Sequence, residues 1–450
     1  MGAQNRIPVI AVFDVGKTNK KLFLFDEHYQ VVLERTARFT ETVDEDGDPC
    51  ENLESLRLSV FDSLREVFRN GKFELKAINF AAYGASLVYI DAHGNPVAPL
   101  YNYLKPYPEA LKARFYQQFG GEEDFSMRTA SPVLGSLNSG MQLYRLKYEQ
   151  PDVFARVRYA LHLPQYMSYL ISGQPCSDLT SLGCHTNLWD FERHDYHEWL
   201  SIEGLEEKLA PILSASEVLP VAFPGSGYVV GTGLHDSSAA LVPYLVSFHE
   251  PFLLLSTGTW CISLNPFNSR PLQADELKSD CLCYLQYQGT PVKASRLFLG
   301  YEHEQEVKRI AEHFGADAIK YRSMRYDPFL IEELDQLPPD RRDPIAQPDD
   351  VRAYHILMLN LVDKQRNATN LVLQDTDVRR IVVDGGFSKN AIFMNLLARA
   401  FPKTEVYAAH MPQGTAVGAA LAIHQAWNSL PVPNDLVQLK YYAAANYLPL

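Results

Sequence analysis

Residues 9–25 read Val9-Ile10-Ala11-Val12-Phe13-Asp14-Val15-Gly16-Lys17-Thr18-Asn19-Lys20-Lys21-Leu22-Phe23-Leu24-Phe25. Two apolar runs rich in Val, Ile, Leu and Phe flank a polar turn with one glycine. That order predicts strand, tight turn, strand, a hairpin and not a strand running into a helix. The same grammar returns later: residues 252–255 are apolar, Ser256-Thr257-Gly258-Thr259 is a polar turn, and residues 260–264 are apolar again. Two copies predict a duplicated architecture of the α/β class, although sequence identity between the copies is slight.

Around these anchors, residues 53–68, 109–119, 139–149, 161–172, 199–209, 353–371, 390–401 and 415–427 read as helices. Residues 77–82, 87–90 and 378–383 read as strands. Pro151 and Gly173 are expected to end the helices that precede them. Pro220, Pro224, Gly225 and Gly227 cluster within eight residues, which places a domain border at about residue 225. The prolines at 338, 339, 344 and 348 mark a loop.

A chain of 450 residues exceeds one compact core, so two domains are expected. With 46% hydrophobic residues there is enough material to fill both. The 41 Lys and Arg against 54 Asp and Glu give a formal charge of −13, which repels nucleic-acid backbone and anionic lipid as general partners. Six cysteines in a chain of this size do not form a disulfide framework, and Cys281-x-Cys283 has no second pair at zinc spacing. Asp14 and Lys17 interrupt the N-terminal apolar run, and no uncharged stretch reaches membrane-spanning length. The expectation is a cytoplasmic protein with no membrane partner. Periodicity does not fix the oligomeric state; a homodimer is one assembly open to it.

Three turns could carry chemistry: Asp14 to Asn19, Ser256 to Thr259, and Asp384-Gly385-Gly386-Phe387-Ser388-Lys389-Asn390. Each offers backbone N–H groups, small side chains and little bulk, the properties that cradle phosphate oxygens. Neither a P-loop nor a dinucleotide fingerprint is present. Asp14 at a strand end is either a turn cap or the carboxylate that holds Mg2+ through water. Lys17, Lys20 and Lys21 are candidate phosphate counter-charges, although three neighbours cannot all face one site. Asp236 precedes the apolar positions Ala239, Ala240, Leu241 and Leu245, which places it at a helix N-terminus. There it is either an N-cap or a general base kept ionised by the helix. His235 orients it, binds substrate, or is a loop histidine satisfied by its own neighbours. The aromatic and polar stretch 177–199, with Thr186 and Asn187, is either a loop at the core edge or the wall of a sugar site. The glycines and alanines of 414–420 read as a helix that approaches another element closely.

Taken together, these residues resemble the FGGY carbohydrate kinases of the sugar-kinase, actin and heat-shock ATPase superfamily, over nearly the whole chain. Asp14, Gly16, Thr18 and Lys21 match that family's first phosphate motif, and Ser256, Thr257, Gly258 and Thr259 its second. Asp384, Gly385, Gly386, Ser388 and Asn390 match its adenosine motif. Asp236 falls on its catalytic aspartate. The resemblance implies two actin-like (ribonuclease H-like) α/β domains with mixed central sheets and a cleft between them. It implies a sugar bound mainly by residues 1–225 and ATP mainly by residues 226–450. It also places Lys17 and Asn19 with the phosphates, Mg2+ at Asp14, and Tyr83, Gly84, Thr186, Asn187 and His235 with the sugar. His235-Asp236-Ser237 resembles the rhamnulose and fuculose kinases, implying transfer to the C1 hydroxyl of a 6-deoxy ketose. A pentulose or polyol kinase and a non-catalytic sugar or nucleotide sensor are the alternatives. Two departures bear on the substrate: Ala81-Ala82-Tyr83 stands where that branch has Asp-Thr-Trp, and residues 102–105 read Asn-Tyr-Leu-Lys where Asp-x-Arg is common.

Overall fold

The computed structural model describes residues 6–17, 20–36, 40–223 and 226–443. β1 (Ile7–Val15) and β2 (Lys20–Asp26) pair antiparallel, with Asp14 opposite Lys21, so the expected hairpin forms. β3 (Val31–Thr36) extends it on one side. On the other side β4 (Phe73–Ala82) runs parallel to β1, an arrangement that needs a crossover. The crossover is α1 (Leu53–Arg69), whose N-cap Asn52 accepts a hydrogen bond from the Ser55 N–H.

The first sheet does not stop at residue 225. β5 (Val218–Pro220) and β6 (Val229–Gly231) pair antiparallel, β6 adds to β4, and β7 (Leu234–His235) pairs with the far end of β4. The expected border at residue 225 lies outside the described residues, and the strands on either side of it, Val218–Pro220 and Val229–Gly231, both belong to the first sheet. The chain leaves that sheet after His235. Strand order is β5-β6-β4-β1-β2-β3, with β7 beside β4.

α2 (Asp236–Ser247) leads to the second half. β8 (Leu253–Thr257) and β9 (Cys261–Asn265) repeat the opening hairpin; β10 (Cys281–Leu285) and β11 (Pro291–Leu297) continue it antiparallel. After α3 (Leu299–Phe314) and α4 (Asp350–Leu373), β12 (Arg380–Gly385) joins β8 in parallel. Then follow α5 (Ala391–Ala400), β13 (Glu405–His410), α6 (Gly414–Ala422) and β14 (Gln438–Tyr442). The second sheet runs β10-β11-β9-β8-β12-β13-β14. Its central strands β11-β9-β8-β12-β13 match β3-β2-β1-β4-β6 in order and sense of connection, the duplication that the two hairpins announced.

Two expected helices are shorter than their sequence pattern. Tyr159–His162 is a strand paired with Leu87–Ile90, and the helix runs Leu163–Ser172 with Pro164 in its first turn, where the missing N–H costs nothing. Pro151 opens a new short helix, Pro151–Arg156, as well as ending the one before it. Trp199–Ile202 stops before Gly204, which turns the chain at φ +64°; a 3-10 turn follows at Glu206–Lys208.

α2 and α6 cross between the two sheets. The core they share draws Val12 and Phe23 from the first sheet, Leu254 and Val382 from the second, and Ala239, Val242, Val417 and Ala420 from the helices. The expected close approach of residues 414–420 is this crossing: a Cβ on Gly418 would lie 1.8 Å from the Ala239 carbonyl oxygen. Asn79 of β4 fastens the layer, donating through Nδ2 to the Ala419 carbonyl at 2.8 Å and accepting the Gly233 N–H at 3.2 Å. All six cysteines are free and buried. Among the described residues no helix is long and apolar enough to cross a membrane.

Gly418→Ala should lower stability by about 1–3 kcal/mol, the usual cost of overpacking, because a backbone atom and not a movable side chain blocks the new methyl group. Denaturant unfolding would measure it. An unchanged midpoint would show that the helices separate freely.

Candidate active site

β1 ends at the cleft with Asp14, and α2 begins there with Asp236, so two carboxylates from distant parts of the chain approach one another. Burial, together with the charge of Asp236, raises the Asp14 carboxyl to about 6, while Lys21 opposes the shift. Burial likewise raises Asp236 to about 6 against two hydrogen bonds from Ser237, the N–H at 2.6 Å and the hydroxyl at 3.4 Å. The Asp236 side chain keeps 32% of its surface open.

His235 caps α2 from the end of β7 and places its Nε2 3.3 Å from Asp236 Oδ1 and 3.1 Å from Cys184 Sγ. Its ring stacks on Tyr284 of β10, with centroids 6.0 Å apart. A Cβ on Gly84 would lie 2.8 Å from the ring, so the Tyr83-Gly84 turn closes the remaining side. Burial lowers the His235 pKa to about 4, leaving the imidazole neutral at pH 7. A neutral ring beside an ionised carboxylate is best satisfied as the Nε2–H tautomer donating to Asp236, with Nδ1 buried and unpartnered.

The structure divides the other expected residues. Gly16 and Lys17 follow β1; Thr18 and Asn19 lie outside the described residues. The Lys17 and Lys20 ammonium groups turn to the buried Glu51 carboxylate, at 3.6 and 3.3 Å, and Lys21 pairs with Glu34 at 2.6 Å. Lys17 also lies 5.6 Å from the ring centroids of both Tyr83 and Tyr103. Ser256 is half-buried, whereas Gly258 and Thr259 are exposed. Thr257 points inward and joins two turns: its carbonyl accepts the Gly386 N–H, and its hydroxyl accepts the Phe387 N–H and donates to the Asp384 carbonyl. A Cβ on Gly385 would lie 1.9 Å from the Thr257 carbonyl oxygen, whereas at Gly258 or Gly386 the nearest atom would be 3.8 Å away. Those two glycines leave both turns free of side-chain bulk.

Asn390 caps α5 through Ile392 and Phe393 and donates to the Tyr354 hydroxyl. Ser388 donates to the Gly385 carbonyl. The Thr186 hydroxyl donates to the Leu182 carbonyl, and Asn187 Nδ2 to the Tyr116 hydroxyl. Both residues are buried, so their identified side-chain bonds serve the first domain's own packing.

Sequence reasoning missed Glu51, Cys184, Tyr284, Arg296 and Gly300. A Cβ on Gly300 would lie 1.9 Å from the Gly258 carbonyl oxygen, so the start of α3 presses on the second turn. Glycine at 300 before a helical pattern was the available signal; the other four carry none. The corner that lacks Asp-x-Arg is neutralised from within. Lys105 places its ammonium 2.6 Å from Asp44, 2.8 Å from Asp46 and 3.6 Å from Asp48, and Tyr103 packs on Tyr83.

Comparison with known proteins follows this geometry. A model described as the N-terminal domain of the FGGY family of carbohydrate kinases matches residues 9–242. One described as carbohydrate kinase FGGY, C-terminal domain, matches residues 249–431. The chain is similar to the rhamnulokinase of Halalkalibacterium halodurans, with 22% identity over 271 residues, 58% of this chain. That match spans 56% of the relative, about half its length. Among solved structures, a carbohydrate kinase from Novosphingobium aromaticivorans superposes with TM-score 0.79 at 25% identity, covering 97% of this chain and 94% of that one. A xylulose kinase from Lactobacillus acidophilus superposes with TM-score 0.78 at 14% identity, with the same coverage.

Because both carboxyls are raised above their unfolded values, the folded protein retains protons that the unfolded chain releases between about pH 4 and 6. Their unfavourable contribution therefore grows as pH rises through that window and is constant above it. Asp236→Asn should raise the melting temperature at pH 7.5 and have little effect at pH 4. Thermal melts at both pH values measure this, and a variant melting lower at pH 7.5 would refute it.

Proposed function

Because the chain belongs to the FGGY family of carbohydrate kinases, we propose that it transfers the γ-phosphoryl group of ATP to a hydroxyl of a small sugar or polyol, with Asp236 as the general base. The observation that carries this reading is the meeting of Asp14 and Asp236 at the cleft, with the open turns at Gly258 and Gly386 on the second domain. The first domain takes the sugar and the second the nucleotide. Asp14 is the residue to hold Mg2+, since a cation would offset the burial and, after it, the Asp236 charge that raise its pKa; when bound, the metal would neutralise phosphate charge.

Asp236 accepts the hydroxyl proton as the oxygen attacks phosphorus, a task that asks for position more than for basicity. Ser237 and His235 orient its carboxylate. Approach of the domains around the reactants excludes water, the competing acceptor. Retention of both carboxylates favours an enzyme over a sensor built on the same fold.

Within this reading the acceptor is a sugar or polyol of the family's range, and pentuloses and glycerol stand beside the 6-deoxy ketoses. His235-Asp236-Ser237 and the similarity to a rhamnulokinase support L-rhamnulose or L-fuculose, phosphorylated at C1. Tyr83 and Tyr103, with Lys105 consumed by Asp44 and Asp46, offer a more aromatic and less charged wall than that branch has, which favours the broader assignment.

An ADP-release assay with Mg-ATP over L-rhamnulose, L-fuculose, L-ribulose, D-xylulose and glycerol should find turnover with at least one. On that acceptor Asp236→Asn should lower kcat by about 10²–10⁴ while ADP affinity is kept. Near-normal turnover of the variant would remove Asp236 from the role of base.

A further inference from the structure

Arg296 reaches the cleft from β11. In the strand register, Asp384 lies opposite Ser256, Ser256 opposite Ile262, and Ile262 opposite Arg296. Directly paired residues project from the same face, so these side chains form one row across the second sheet. With strands about 4.8 Å apart, Arg296 starts roughly 10 Å from Ser256 of the phosphate turn.

Two neighbours hold its side chain, which is only 12% exposed. Nη2 donates to Asp280 at 2.7 Å, and the guanidinium lies 5.6 Å from the ring centroid of Trp260, the residue that follows Thr259. Nε is buried and has no hydrogen-bond partner. On its other side the guanidinium charge acts on Cys184, His185 and Tyr284, and the charge of Asp236 also reaches Cys184 and Tyr284. The guanidinium therefore lies beside the second turn, on the side of the second sheet that faces Cys184 and His185 of the first domain. The lysines of the first turn are drawn aside by Glu51 and Glu34.

We propose that Arg296 is a further catalytic residue whose guanidinium contacts the phosphoryl group in transit from the nucleotide to the acceptor hydroxyl. The inference rests on the kinase reading above. As the acceptor oxygen bonds to phosphorus, the bond to the bridging oxygen of ADP breaks and the acceptor proton passes to Asp236. Negative charge lies on the three equatorial oxygens, and a planar fork of donors already held by Trp260 and Asp280 meets it without reorganisation.

The test uses the full chain, Arg296→Gln and Arg296→Lys, with melting temperatures confirming that each is folded. Mg-ADP affinity is measured with and without aluminium fluoride, a mimic of the transferring group that needs no knowledge of the sugar. Wild type should bind Mg-ADP more tightly with fluoride present. Arg296→Gln should bind Mg-ADP normally and lose that increment, and Arg296→Lys should keep part of it. On the active acceptor, Arg296→Gln should lower kcat by about 10²–10³ with sugar KM within about threefold. A retained fluoride increment, an unchanged kcat, or a loss carried wholly by sugar KM would each overturn the assignment. Wild type failing to bind Mg-ADP would overturn the kinase reading itself, and this inference with it, before any variant is made.

Discussion

The crossing of α2 and α6 governs the rest of the structure. No side chain fits between Gly418 and the Ala239 carbonyl, so the two helices meet backbone to backbone. Each helix is also bound to the first sheet, α6 through Asn79 and α2 through the short strand that ends at His235. The N-terminus of α2 is thereby fixed against the end of β4, and with it the position of Asp236. A carboxylate on a loop would be free to move; here packing of small residues some distance away holds it in place.

The electrostatics of the cleft follow from burial more than from net charge. The carboxyls of Asp14 and Asp236 are raised, His235 is held neutral, and the cations nearby have their own acidic partners. Lys105 shows the same economy farther out. It occupies the centre of the loop at Asp44, Asp46 and Asp48, three carboxylates whose grouping would otherwise suit a metal ion. Around Asp14 and Asp236 the cations are thus engaged by Glu51, Glu34 and Asp280.

Much of this was legible in the sequence. The strands at 7–15 and 253–257 were readable because apolar runs met polar turns, and the duplication because those turns repeated. Asp236 was readable because apolar positions at helical spacing follow it. Proline and glycine suggested a border near residue 225, yet β6 and β7 carry the first sheet past it, because such residues punctuate connections within a sheet as readily as linkers. The strand at 159–162 was absorbed into a helix because its apolar residues continue into Leu163, and only Pro164 marks the change. Glu51, Tyr284 and Arg296 could not be found from spacing at all. Pairing between strands and packing between the two sheets bring them together, and nothing near them in the chain records it.

Thr257 joins two turns that lie 127 residues apart in sequence. They act as a single jaw. A substitution at 257 alters the geometry at 384–387 in the same generation, so neither turn is free to drift alone. The opposite lip is joined differently, by the rings of Tyr83 and Tyr103 meeting edge to face, so a change there alters side chains before it alters backbone.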